Sequence, residues 1–115
     1  MEYMLLIYDR ETDWAKLADK DRGAMFKEYG AFTESLKKNG NLRAGNALQP
    51  VTSASTVRVR DGKTVTTDGP FAETREQLGG YYLIEAKDLD EAISIAALVP
   101  SARSGSIEVR PIMVH

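Results

Sequence analysis

The chain has 115 residues, long enough for one compact domain and short for two, since domains run from about 50 to 250 residues. Its 43% apolar and 28% charged residues match ordinary folded proteins, which sets aside disordered and fibrous classes. Fifteen Lys plus Arg against seventeen Asp plus Glu, interleaved in sign, leave a net charge of −2 and argue against nucleic-acid binding; the absence of Cys and the placing of the single His at His115 exclude disulfides and thiolates and all but exclude imidazole triads or His-rich zinc sites inside the fold.

The first apolar run, Met4 to Tyr8, is far shorter than the roughly 20 residues needed to span a bilayer, and no basic segment precedes it, so no membrane anchor or secretory signal is expected. The expected location is cytoplasmic. MEYMLLIY, from Met1 to Tyr8, is apolar on both parities, with Tyr3, Leu5 and Ile7 on one face and Met4, Leu6 and Tyr8 on the other. That pattern predicts a strand buried on both sides. After a polar stretch carrying Trp14, Asp19 is placed to cap a long helix in which Met25, Tyr29, Phe32 and Leu36 share one face as a core stripe. The helix should stop near Asn39, with Lys37 and Lys38 complementing its dipole and Gly40 taking the left-handed cap. Leu42 to Leu48 reads as a second strand.

Thr56 to Arg60 and Lys63 to Thr67 alternate on either side of Asp61-Gly62, which predicts a hairpin because this pair readily adopts positive φ. Gly79 to Ala86 is again apolar on both parities and predicts another central strand. Asp88 followed by Glu91 resembles a capping box, and Leu89, Ala92, Ile93 and Ala96 then repeat at helical spacing as far as Pro100. Ser106 to Val114 closes as a strand, and Pro111, which lacks a donor, favours an edge or a bulge. Strand, helix, strand, inserted hairpin, strand, helix, strand is the split βαβ order of an α+β, ferredoxin-like domain. Two helices cover one sheet face only. A second copy packed sheet to sheet, an apolar ligand, or both are therefore expected on the other face.

Asp68-Gly-Pro-Phe-Ala-Glu-Thr74 followed by Glu76-Gln-Leu-Gly-Gly-Tyr-Tyr82 resembles the signature of the DGPF-domain branch of the YCII-related family. The opening MEYMLLIY, the run Thr56 to Gly62 and the closing Gly105 to Pro111 resemble the same family, so the likeness spans nearly the whole chain. It implies a ferredoxin-like fold of the dimeric α+β barrel kind. It also implies small-molecule chemistry, by likeness to lactone isomerases and small monooxygenases sharing that barrel, or a role beside extracytoplasmic-function sigma factors, where some relatives occur. YCII-type relatives carry a His and Asp pair proposed as catalytic, and with no internal His this chain cannot supply it.

Asp68, before Gly69-Pro70, is a candidate catalytic carboxylate aimed by a turn; the plainer reading is a cap on that turn. Gly69 and Pro70 fix the turn, and Phe71 reads as a core or dimer-contact ring. Glu108 and Arg110 share a strand face, so Glu108 could shuttle a proton while Arg110 holds an anionic substrate; an ordinary ion pair is the alternative. Tyr8 and Tyr82 are candidate substrate-binding walls, or core tyrosines with a polar tip. Arg58 and Arg60 read as the wet side of the hairpin. The Gly79-Gly80 pair would admit a ligand or mark a bulge. Asp9, Glu11 and Asp13 lack the central Gly and distal Glu of a calcium loop and read as a solvated acidic loop. Without a glycine-rich phosphate loop or a metal cluster, no cofactor is implied, and the expected chemistry is proton transfer on a small carbonyl, lactone or aromatic acid in a cleft near the dimer interface. A non-catalytic interaction or sensing module is the rival.

Overall fold

A computed structural model describes residues 1–115. Six strands and three helices follow in the order β1 (Glu2–Asp9), α1 (Glu11–Lys16), α2 (Asp19–Lys38), β2 (Leu42–Ala47), β3 (Ser55–Arg60), β4 (Lys63–Asp68), β5 (Gln77–Glu85), α3 (Leu89–Ala96) and β6 (Ser106–Pro111). Short 3₁₀ turns at Val51–Ser53 and Pro100–Arg103 precede β3 and β6. Four strands form an antiparallel sheet in the order β2-β5-β1-β6, while β3 and β4 pair only with each other. This is the ferredoxin-like arrangement expected from the element order, with β1 and β5 central.

Both central strands bury alternate residues against the helices. Tyr3, Leu5 and Ile7 of β1 stand beside Ile84, Tyr82 and Gly80 of β5 and pack with Phe32 and Leu36 of α2 and with Ala92, Ala96 and Val99. The other parity, including Met4, Leu6, Tyr81 and Leu83, is half-buried on the face without helices.

The helix ends follow local chemistry. Beyond Asn39, Gly40 has φ +77°, its N–H reaches the Lys37 carbonyl at 3.1 Å, and the Asn41 N–H reaches the Leu36 carbonyl at 2.9 Å. These are the paired bonds of a Schellman cap. At the start of α3 the Asp88 carboxylate accepts from the Glu91 N–H at 2.9 Å, and Glu91 reaches back to the Lys87 N–H at 3.1 Å. The start of α2 departs from expectation: Ala18 is the N-cap without a side-chain bond, and Asp19 lies in the first turn, where its charge still complements the dipole. Pro111 closes β6 on the sheet edge, as its missing donor requires.

The hairpin is an arm. Asp61 and Gly62 both have positive φ, 52° and 73°, the paired left-handed geometry of a type I′ turn. All six residues of β4 are exposed, as are Val57 and Val59 of β3. At its base the Gly69 N–H reaches the Ala54 carbonyl at 2.7 Å and the Thr56 hydroxyl reaches the Gly69 carbonyl at 2.9 Å. The Cα radius of gyration is accordingly 16.1 Å. A compact chain of this length measures about 13 Å.

Candidate functional site

At one end of the sheet a cleft of about 650 Å³ opens between the helices and the strands. Its floor carries hydroxyls. The Tyr29 and Ser101 hydroxyls lie 2.6 Å apart, and those of Thr33 and Tyr82 lie 2.8 Å apart, each pair able to donate in either sense. Its wall is apolar, built from Leu17, Met25 and an edge-to-face pair, Trp14 and Phe26, with ring centroids 5.6 Å apart. Its rim is charged, with Asp9, Arg10, Glu11 and Asp13 following one another at the end of β1 and into α1.

Close backbone approaches make this geometry. Gly105 lies directly against the end of β1, where an added Cβ would fall 2.0 Å from the Tyr8 carbonyl oxygen and 3.1 Å from the Asp9 carboxyl carbon. Only glycine fits, and the approach brings the Ser104 hydroxyl to Asp9 Oδ2 at 2.8 Å, while Oδ1 accepts from the Arg10 N–H at 2.9 Å. The β1–β5 register slips between Ile7 and Tyr8, which leaves Gly79 as a bulge, and a Cβ on Gly80 would meet the Asn46 carbonyl at 3.0 Å. The Gly79-Gly80 pair thus marks a bulge and also lines the cleft.

The acidic stretch after β1 is a helix, which corrects the expectation of a solvated loop. Glu11 and Asp13 sit in the first turn of α1, and Glu11 is held at both ends: its N–H reaches Gln77 Oε1 at 3.1 Å and its Oε1 accepts from the Val51 N–H at 2.9 Å. No group of three or more His, Asp or Glu side chains converges in a metal-binding arrangement. Burial holds the Tyr29 phenol above its ordinary pKa; the bond with Ser101 opposes that shift, and the nearby Tyr82 and Asp9 add to it. Tyr29 therefore stays a neutral hydrogen-bond donor through the physiological range.

The residues singled out in the sequence do not converge. Tyr82 is buried and lines the cleft. Asp68 is exposed at the end of β4 and caps no turn, since its carboxylate has no hydrogen-bond partner. Glu108 and Arg110 form an ion pair on β6, opposite Leu6 and Met4 on the face without helices, and Tyr8 shares that parity. Phe71 is exposed rather than in the core, at 78% of its surface. Of the α2 stripe, Phe32 and Leu36 are core, whereas Met25 and Tyr29 line the cleft. Sequence reasoning missed Ser101, Ser104 and Gly105; the only local signal was the Ser-rich, Gly-ended run between Pro100 and β6.

The model of the YCII-related domain matches residues 1–115. An uncharacterized protein of Rhizobium meliloti (strain 1021) is 36% identical over 117 residues, covering 100% of this chain and 94% of its own. Among solved structures, the 5-chloro-2-hydroxyhydroquinone dehydrochlorinase TftG of Burkholderia phenoliruptrix AC1100, in complex with 2,5-dihydroxybenzoquinone, superposes with a TM-score of 0.56 at 16% identity, covering 98% of this chain and 94% of that one. At that identity the likeness speaks for the fold. A family model matching every residue and a relative aligned along the whole chain place this protein in the YCII-related domain family.

Proposed function

We propose that the protein is a small-molecule enzyme or binder whose ligand occupies the cleft between α1, α2 and the end of the sheet. The observation that carries this reading is the cleft itself: about 650 Å³, with an apolar wall and hydroxyl pairs on its floor. Sites for small ligands are typically such mainly apolar hollows of about 300–1,000 Å³ with a few placed polar groups. The similar dehydrochlorinase, a small-molecule enzyme of the same fold, supports the same class.

The chemistry proposed is proton transfer. Asp9, oriented by Ser104, is the carboxylate placed to take a proton from a ligand, and the Tyr29 and Tyr82 hydroxyls are placed to donate to an oxygen that gains charge. This assigns the acid–base role to Asp9 rather than to Asp68 or Glu108, and keeps Tyr82 as a binding residue. We further propose that a second copy covers the half-buried sheet face bearing Met4, Leu6 and Leu83, where Tyr8, Glu108 and Arg110 would become interface residues. A solution mass of 12.7 kDa at micromolar concentration, with the protein folded, removes that second part.

A thermal-shift screen of lactones, phenols, aromatic aldehydes and 2-oxo acids tests the site, run on wild type, Asp9→Asn, Tyr82→Phe and Glu108→Gln. A ligand at 100 times its dissociation constant adds about 2.7 kcal/mol, a rise on the order of ten degrees for a domain of this size. The expected compound stabilises wild type and Glu108→Gln but loses effect with Asp9→Asn and Tyr82→Phe. The reverse pattern moves the site to the open sheet face.

A further inference from the structure

The cleft and the rest of the surface differ in charge. The charged side chains lining it are Asp9, Glu11 and Asp13 against the single cation Arg10. Arg58 and Arg60 lie on the arm, and Arg110 pairs with Glu108 on the open sheet face. Two of the three rim carboxylates are fixed rather than free to swing away, Asp9 by Ser104 and the Arg10 N–H, Glu11 by the Val51 N–H.

The neutral polar groups point the same way. In each floor pair two hydroxyls share one internal bond, which consumes one proton and leaves one proton and spare lone pairs for a guest. One donor beside one acceptor suits a carbonyl or a hydroxyl. A carboxylate asks instead for several donors or a guanidinium; the one guanidinium of the cleft, Arg10, stands among Asp9, Glu11 and Asp13, so a carboxylate reaching it faces three like charges. The rings of Trp14, Phe26, Tyr29 and Tyr82 offer flat apolar surface to such a guest.

Resting on the cleft as the ligand site, we infer that it admits flat, uncharged ligands bearing a carbonyl or hydroxyl oxygen and turns away their carboxylate counterparts. The aromatic and 2-oxo acids that Arg110 would have suited are therefore poor ligands, and the neutral aldehydes, amides, lactones and phenols are the class to search.

Trp14, the only Trp in the chain and part of the cleft wall, supplies the readout. Wild type is titrated with a panel of matched pairs, benzamide with benzoate, phenylacetamide with phenylacetate, and benzaldehyde with benzoate, following Trp14 fluorescence and thermal midpoint together. The expected result is a neutral member at least tenfold tighter, or about 1.4 kcal/mol. The gap should narrow between about 10 mM and about 1 M salt, because a partly open rim is screened. Asp13→Lys, at a residue whose side chain makes no hydrogen bond, should narrow it further; the salt series needs no variant and decides alone if Asp13→Lys does not fold. A carboxylate that perturbs Trp14 and binds as tightly as its neutral partner overturns the charge selection and leaves the cleft as a site. If no member of any pair perturbs either signal, the cleft as a ligand site is overturned, and the selection with it.

Discussion

The two faces of the central sheet begin from nearly the same sequence and end differently. In β1, Tyr3, Leu5 and Ile7 on one parity and Met4, Leu6 and Tyr8 on the other are about equally apolar, yet the first set is buried and the second half-buried. The difference is which face the crossing helices take: α2 and α3 both return over the same side and bring Phe32, Leu36, Ala92 and Ala96 against Leu5 and Ile84. The expected burial on both sides is therefore met on one face only: the helices cover Tyr3, Leu5 and Ile7, and Met4, Leu6 and Tyr8 stay half-buried. The cleft also falls on the helix side, between the sheet end and α1 with the first half of α2.

The sharpest way to break this comparison is to truncate adjacent residues. Leu5 is fully buried, and Leu5→Ala should cost about 3–4 kcal/mol, the lost transfer energy plus a cavity. Leu6→Ala, one residue on and facing the other way, should cost about 1 kcal/mol or less in the single chain, since its side chain is already partly in water. Urea titrations of both variants, at low and high protein concentration, check the pair. Equal costs at every concentration would mean that the faces are equivalent; a Leu6→Ala cost that grows with concentration would mark that face as covered by a second copy.

A smaller loss should come from Gly105→Ala. The added methyl has no room against the Tyr8 carbonyl, so β6 and the end of β1 must separate, at about 2–3 kcal/mol. The separation also moves Ser104 from Asp9. Ligand affinity at the cleft should fall together with the thermal midpoint, whereas Leu6→Ala should leave affinity untouched. A Gly105→Ala protein that keeps full stability would show that the approach can relax elsewhere.

Much of the frame was legible because its signals are local. The Asp61-Gly62 turn needs positive φ, the Lys37 to Gly40 ending needs a left-handed residue, and the Asp88 to Glu91 box closes on itself; each is set within a few residues. Helix α1 was not legible, because it has no buried residue and no side-chain cap, and is secured by bonds from Glu11 to residues 40 and 66 positions away. The cleft was hidden for the same reason. Tyr29 and Ser101, which make part of its floor, are 72 residues apart, and nothing in the local pattern of either announces the other. Asp68, Glu108 and Arg110 drew notice by residue type in a turn or on one strand face, and that information does not fix which cavity a side chain meets.

The smallest expected effect probes the cleft side of the sheet by pH. Burial beneath the cleft shifts the Tyr29 pKa upward. A raised folded pKa means that the stability tied to its proton is complete below about pH 10, where the unfolded phenol titrates, and is lost as pH rises through the folded value. Tyr29→Phe removes the bond to Ser101 and should cost about 1 kcal/mol at pH 8. Above about pH 10 the wild type loses stability from this group and the variant does not, so the gap between their thermal midpoints should narrow as the pH rises further. A constant gap for Tyr29→Phe would mean that its phenol ionises where an exposed one does, and that the cleft floor is wetter than the packing of Tyr29 among Ser101, Tyr82 and Asp9 implies.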